Sequence, residues 1–333
     1  MGSVFEVGFQ GRTRELSLDR LPVVGRVPEW LTGTLVRNGP GTFDAGSERY
    51  RHWFDGLSML HKFAFAGGRV SYANKFLQTK SYRSAMERGR ITYSEFATDP
   101  CRSLFSRIQS VFSPTVSDNA KVSIAKVAEK YLALAETPIQ VEFDLETLKT
   151  AGVFTYEDEP LTGQMTTVHP IFDPEENNTY NLVTRYHAVS HYRLYRVGAD
   201  AGRTMVGQVA STKPAYMHSF GMTKRYAIFT EFPLRVQPMA LLLWLRPYIE
   251  NFTWEPKRGT PFYVMDRQSL QIVTTFGDGG RQPGQFFAVH SIATDSKGNL
   301  FTTETYEGKR LQRFVYKGVG PVARVQGVPW PKK

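Results

Sequence analysis

The feature that most constrains this chain is a succession of short segments in which apolar and polar side chains alternate. Examples are Tyr131-Leu132-Ala133-Leu134, Asn181-Leu182-Val183-Thr184-Arg185-Tyr186, His191-Tyr192-Arg193-Leu194-Tyr195-Arg196, Tyr226-Ala227-Ile228-Phe229-Thr230, Phe262-Tyr263-Val264-Met265 and Asn299-Leu300-Phe301-Thr302-Thr303. Alternation with period two places one set of side chains on a buried face, as in a β-strand. Turn chemistry interrupts the segments at Gly67-Gly68, Asp173-Pro174, Gly198 and Lys297-Gly298-Asn299. Aromatic residues make up 13% of the 333, with 28 Gly and 19 Pro. Many aromatics with many turn formers fit the same reading. The expected class is all-β: a sandwich, a barrel or a propeller. No strict internal repeat selects among them.

Two segments depart from the pattern. Within 101–112, Leu104, Phe105, Ile108, Val111 and Phe112 fall on one face of a helix, with Ser103, Ser106, Arg107, Gln109 and Ser110 mostly opposite. The run from Met239 to Ile249 is apolar but interrupted by Arg246 and Pro247. Each reads either as a core helix or as a patch lying on a membrane.

Lys and Arg number 41 against 31 Asp and Glu, a net charge of +10. Such an excess favours an anionic partner. The basic residues form no block and no nucleic-acid motif, so nucleic acid is set aside in favour of an anionic lipid surface. The first 25 residues are charged throughout, without the apolar run of a signal peptide. Met1-Gly2 opens like a myristoylation site, but Glu6 stands where Ser or Thr is wanted. No apolar run approaches the ~20 residues of a spanning helix. The expectation is a cytoplasmic protein associated peripherally with a membrane.

The single Cys101 excludes an intrachain disulfide and any cysteine-based zinc or iron–sulfur site. It leaves open a palmitoylation site or a plain thiol. A metal would have to be held by His and carboxylates. Of the seven His, three sit among apolar or aromatic neighbours: His169 in Thr166-Thr167-Val168-His169-Pro170, His218 in Tyr216-Met217-His218-Ser219-Phe220-Gly221, and His290 in Phe286-Phe287-Ala288-Val289-His290-Ser291. Separate strands of a closed β fold can bring such imidazoles to one metal. Taken alone, such residues are more often surface or satisfied core histidines than metal ligands.

Residues 15–266 resemble the carotenoid cleavage oxygenase family. The likeness is carried in order by Val27-Pro28-Glu29-Trp30-Leu31-Thr32-Gly33-Thr34-Leu35-Val36-Arg37-Asn38-Gly39-Pro40-Gly41, His52-Trp53-Phe54-Asp55-Gly56, Leu60-His61-Lys62-Phe63, Asp99-Pro100-Cys101-Arg102, Asp118-Asn119-Ala120, Ala135-Glu136-Thr137-Pro138, His169-Pro170, His218-Ser219-Phe220-Gly221 and Phe252-Thr253-Trp254-Glu255-Pro256. The resemblance implies a seven-bladed β-propeller with a helical cap, truncated here, and four His holding Fe(II) on its axis. His169 matches the first ligand and His218 the second. Glu136 matches a carboxylate that orients a ligand imidazole, that of His218. The implied activity is cleavage of a conjugated double bond of a carotenoid or retinoid with O2 at a membrane surface. His52 and His61 lie in family motifs without being ligands, and His187 and His191 match nothing functional.

From about Asp266 a second likeness appears, to the NHL-type propeller repeat. It runs through Thr275-Phe276-Gly277-Asp278-Gly279-Gly280-Arg281-Gln282-Pro283-Gly284-Gln285-Phe286 and on to Arg310-Leu311-Gln312-Arg313-Phe314. The expected organisation is therefore a carotenoid-oxygenase-like portion over 1–266 and an NHL-like blade over 267–333, completing or appended to the same propeller. Phe286-Phe287-Ala288-Val289-His290 imitates the family's third ligand strand, making His290 the third candidate ligand. No His follows it, and Glu304 has suitable chemistry but no family motif. Seven bare blades at ~40–45 residues each would take about 300 residues, and with the two non-β segments and the entry segment also drawing on the 333 about six blades can be built. Two functions follow from the resemblance: an iron oxygenase, or a non-catalytic propeller that binds apolar ligands or acts as a scaffold.

Overall fold

The computed structural model describes residues 6–11, 14–100, 116–156, 164–242, 246–305 and 308–318. Its strands are arranged in consecutive antiparallel sheets, each built from strands near one another in sequence. That is the blade order of a β-propeller, and the all-β class expected from the alternation holds. Among the described residues, five sheets have three or more strands. The helical stretch proposed for 101–112 and Cys101 lie outside the described residues.

The chain divides into two compact units, Met1–Tyr156 with Trp244–Ile249, and Glu157–Leu243 with Glu250–Lys333. In the first unit one sheet runs Leu16–Leu18, Arg69–Phe76, Leu57–Ala66, Gly33–Thr42. Its central hairpin closes through Gly67-Gly68, both with positive φ (52° and 70°), the two-residue turn whose twist suits paired strands. The other sheet runs Thr150–Phe154, Gln140–Phe143, Lys130–Leu134, Ser123–Val127.

A helix, Lys80–Arg88, lies between these sheets in sequence. The Thr79 side chain accepts from the Tyr82 N–H at its start, and Gly89 ends it in the left-handed conformation. The Asp118 carboxylate also accepts from the Lys80 and Ser81 N–H groups at 2.7 and 2.9 Å, where a helix start favours negative charge.

Among the described residues the second unit holds three sheets of three or more strands. The first contains Gln164–Thr166, Asn178–Arg185, Ser190–Val197 and Arg203–Ser211, with Ile171–Asp173 also paired to Asn178–Arg185. The next contains Gly221–Met222, Tyr226–Thr230, Phe262–Asp266 and Ile272–Phe276, and the last Val289–Thr294, Leu300–Glu304 and Leu311–Phe314. Position 266 therefore ends a strand whose partner, Ile272–Phe276, follows it in the same sheet. Ser190–Val197 shows the alternation directly: Ser190, Tyr192 and Leu194 are buried, while His191, Arg193 and Tyr195 are half-buried.

Between the last two sheets Phe262, fully buried, packs against Phe276 and Phe286 at ring distances of 4.8 and 4.4 Å. Burying one such side chain contributes about 1.5–3 kcal/mol. The apolar run near 239 forms a short helix, Pro238–Leu242, in which Met239 is exposed and Leu241 buried. Residues 243–245 lie outside the described residues.

Candidate metal centre

The three singled-out histidines all belong to the second unit, and each is placed by a departure from regular strand geometry. His169 follows the end of Gln164–Thr166, where the Thr167 N–H donates to the Leu182 carbonyl at 2.9 Å. His218 lies in the connection between Arg203–Ser211 and Gly221–Met222 and is 7% exposed. That connection is anchored by the Ala215 N–H, which donates to the Tyr192 hydroxyl at 2.6 Å.

His290 sits in a β-bulge. Val289 pairs with Glu304 and Ser291 with Thr303, which leaves His290 as the extra residue. Two residues earlier Ala288 adopts φ 38°. A bulge of this kind re-aims a side chain.

These placements bring the rings together. The Nε2 atoms of His169 and His218 are 3.3 Å apart, with ring centroids at 5.0 Å and planes at 75°. The His290 ring lies 4.6 Å from that of His218, tilted by 43°. The backbone ties the segments in series. The Val168 N–H donates to the His218 carbonyl at 3.3 Å, and the Ser219 hydroxyl donates to the His290 carbonyl at 3.0 Å.

The donor set can be tested against a metal. Two imidazole nitrogens at ~2.0–2.1 Å from one first-row ion stand about 2.8–3.4 Å apart, for angles from right-angled to tetrahedral. The His169–His218 spacing falls in that range. Imidazole without thiolate suits iron, zinc, copper or nickel. Among the described residues no group of three or more His, Cys, Asp or Glu is placed so that it could hold a metal ion. The fit therefore rests on the His169–His218 pair, with His290 beside it.

The surroundings of His218 are aromatic. Tyr216 stacks on it at 6.2 Å and 22°, with its hydroxyl 3.5 Å from Nδ1, at the outer limit of a hydrogen bond. Phe232 and Phe252 meet the Tyr216 ring edge-on at 6.2 and 5.9 Å.

The other histidines have separate roles. His52 Nδ1 accepts from the Phe54 N–H at 3.1 Å. His61 contacts the Tyr72 hydroxyl at 2.8 Å, and burial, with Arg37 nearby, lowers its pKa. Glu304 is held by Arg310 at 2.9 Å and by the Gln312 amide at 3.0 Å. Glu136 lies half-buried in the first unit, just after Lys130–Leu134. Residues that sequence reasoning did not single out are Tyr216, Ser219 and Ser291. A signal was present for the serines, since the pair His-Ser occurs at 218–219 and again at 290–291.

Comparison with known proteins places the chain. A family model described as retinal pigment epithelial membrane protein matches residues 9–313. The chain belongs to this family. The family is that of the carotenoid cleavage oxygenases, and the match continues past Asp266 across most of the NHL-like segment. The mitochondrial carotenoid-cleaving dioxygenase of Mustela putorius furo is 37% identical over 278 residues, 75% of this chain and 50% of that protein. Human β,β-carotene 15,15′-dioxygenase is 32% identical over 297 residues, 80% of this chain and 53% of that protein. This chain spans about half the length of the curated relatives it matches.

Among solved structures, a Glu150Gln variant of Synechocystis apocarotenoid oxygenase superposes with a TM-score of 0.71 at 24% identity, covering 90% of this chain and 62% of that one. A cobalt-substituted form of the same enzyme superposes with a TM-score of 0.71 at 24% identity, covering 89% and 62%. The shared fold is thus that of the family's propellers. Among the described residues no helix is long and apolar enough to cross a membrane.

Proposed function

We propose that the chain acts as a non-haem Fe(II) oxygenase that cleaves a conjugated double bond of a carotenoid or apocarotenoid with O2. The observation that carries this reading is the 3.3 Å separation of the His169 and His218 Nε2 atoms, with the His290 ring against His218. Family membership and the names of the relatives support it. In this proposal His169, His218 and His290 hold the iron. Glu136 is the carboxylate that fixes the imidazole of His218, as partners of metal-binding His commonly do. Bound iron would supply O2 activation against the polyene.

The chain's own residues bind, orient and exclude water. Tyr216, Phe232 and Phe252 give the His218 side an aromatic wall, the surface that seats an apolar chain and keeps water out. The net charge of +10 and the exposed Met239 support docking on an anionic lipid surface, from which such a substrate would be drawn. Within this reading, 267–333 is an NHL-like blade contributing His290 to the same propeller.

The test is anaerobic Fe(II) loading followed by retinal production from β-carotene in detergent. Bound iron and retinal formation, both lost in His169→Ala and His218→Ala, are the expected outcome. Iron content unchanged by those substitutions, with no retinal formed, overturns the enzyme reading and leaves a propeller that binds apolar ligands without catalysis. Glu136→Gln is expected to weaken iron retention by about 10–100-fold with the circular dichroism spectrum unchanged. Unaltered retention removes Glu136 from the site.

A further inference from the structure

We propose that the hydroxyls of Ser291 and Ser219 are positioning groups for His290. The proposal rests on the metal-centre reading above.

The Ser291 Oγ lies 3.1 Å from His290 Nδ1. With the proton on Nδ1 the ring donates to that oxygen, and its lone pair resides on Nε2, the tautomer that a metal requires there. A free histidine ring favours the opposite tautomer, so the contact has an orientation to impose. The Ser219 Oγ holds the other handle of the same residue, its carbonyl oxygen, at 3.0 Å. Ser219 is 6% exposed and directly follows His218.

One hydroxyl thus sets the protonation of the His290 ring, and the other ties the bulge bearing it to the loop bearing His218. A β-bulge interrupts the ladder that would otherwise fix the backbone at His290. The Ser219 bond to the His290 carbonyl replaces that restraint. A hydroxyl differs from a carboxylate in one respect: it can also donate to Nδ1, so it biases the tautomer without locking it.

The two serines make separable predictions. Protein labelled with 15N-histidine, examined metal-free by long-range 1H–15N correlation with His290 assigned through His290→Ala, should show the Nδ1–H tautomer. Ser291→Ala should convert His290 to the Nε2–H form or a mixture and weaken anaerobic Co(II) binding by about 10–100-fold. Ser291→Thr, which keeps the hydroxyl, should restore both. Ser219→Ala should leave the tautomer as in the parent but weaken Co(II) binding by about 10-fold.

An identical His290 tautomer in the parent and Ser291→Ala overturns the role of Ser291. Unchanged Co(II) affinity in Ser219→Ala, where His290→Ala weakens it, overturns the role of Ser219. If His290→Ala itself leaves Co(II) affinity unchanged, the metal reading of His290 fails, and the tautomer measurement still decides the Ser291 contact on its own.

Discussion

Replacing Gly221 by alanine tests how closely the carriers of His218 and His290 must approach. Gly221 follows His218 by three residues and is buried in the second unit. A Cβ built on it would lie 2.8 Å from Ile292 Cγ2 and 3.6 Å from Thr294 Cγ2. Ile292 is itself buried, two residues after His290 on the same strand. Ordinary contact begins near 3.4 Å, so the two segments must part by about 0.6 Å, the difference between 3.4 and 2.8 Å. Cγ2 is the branch methyl of a packed isoleucine and cannot swing aside. Overpacking of this kind costs about 1–3 kcal/mol. The same displacement exceeds the ~0.5 Å tolerance within which a functional constellation works.

Gly221→Ala should therefore lower the urea midpoint and weaken Co(II) binding together. Ile292→Ala alone should cost about 2–5 kcal/mol through the space it empties. In the double variant the new methyl occupies part of that space. The double-mutant cycle should then show a favourable coupling of about 1–2 kcal/mol. Strict additivity, or a Gly221→Ala protein as stable as the parent, would refute the argument that this glycine is required by the approach of the two strands.

Further predictions concern the ion networks of the same unit. Glu231 accepts from the Tyr192, Ser211 and Tyr263 hydroxyls at 2.7, 2.8 and 3.0 Å and pairs with Arg235, itself 3% exposed. Glu231→Gln leaves a buried guanidinium uncompensated and should cost about 3–5 kcal/mol in urea unfolding. The Tyr263 phenol, pushed up to about 12 by burial and by Glu231, should titrate lower in that variant when followed by ultraviolet absorbance; an unmoved titration counts against the contact.

Asp266 is held down at about 2 by the Ser269 N–H, the Arg225 side chain and the Gln268 N–H. Its folded value lies below the unfolded one, so its contribution is present above ~4 and is lost as pH falls toward 2. Asp266→Asn should flatten the dependence of unfolding stability on pH across that window and lower the stability at neutral pH, where the ionised carboxylate contributes. An unchanged acid limb shows that the group does not contribute.

The fold class was legible because its cause is repetitive. Alternation of buried Tyr192 and Leu194 with His191, Arg193 and Tyr195 is the period-two signature of a half-buried strand, and the Gly67-Gly68 turn has the composition its left-handed backbone needs. Strands pairing with near neighbours then follow from short connections. The individual histidines of the site were not legible from that periodicity. Flanking aromatics marked His169, His218 and His290 as unusual, but only the family resemblance related residues so far apart in the chain.

The reason is that the site is made where the repeat fails. His169 lies beyond the end of a strand, His218 in a connection, and His290 at a bulge preceded by the left-handed Ala288. A regular ladder turns side chains alternately to its two faces, and these three leave that pattern. Each irregularity removes backbone hydrogen bonds that the ladder would have supplied, and a buried backbone group without a partner is costly. The bonds from Val168 N–H to the His218 carbonyl and from the Ser219 hydroxyl to the His290 carbonyl meet that need. Because those two bonds run between the segments that carry the histidines, satisfying the backbone and aligning the imidazoles are one requirement. A substitution that breaks either bond is therefore expected to disturb ring placement before it unfolds a sheet.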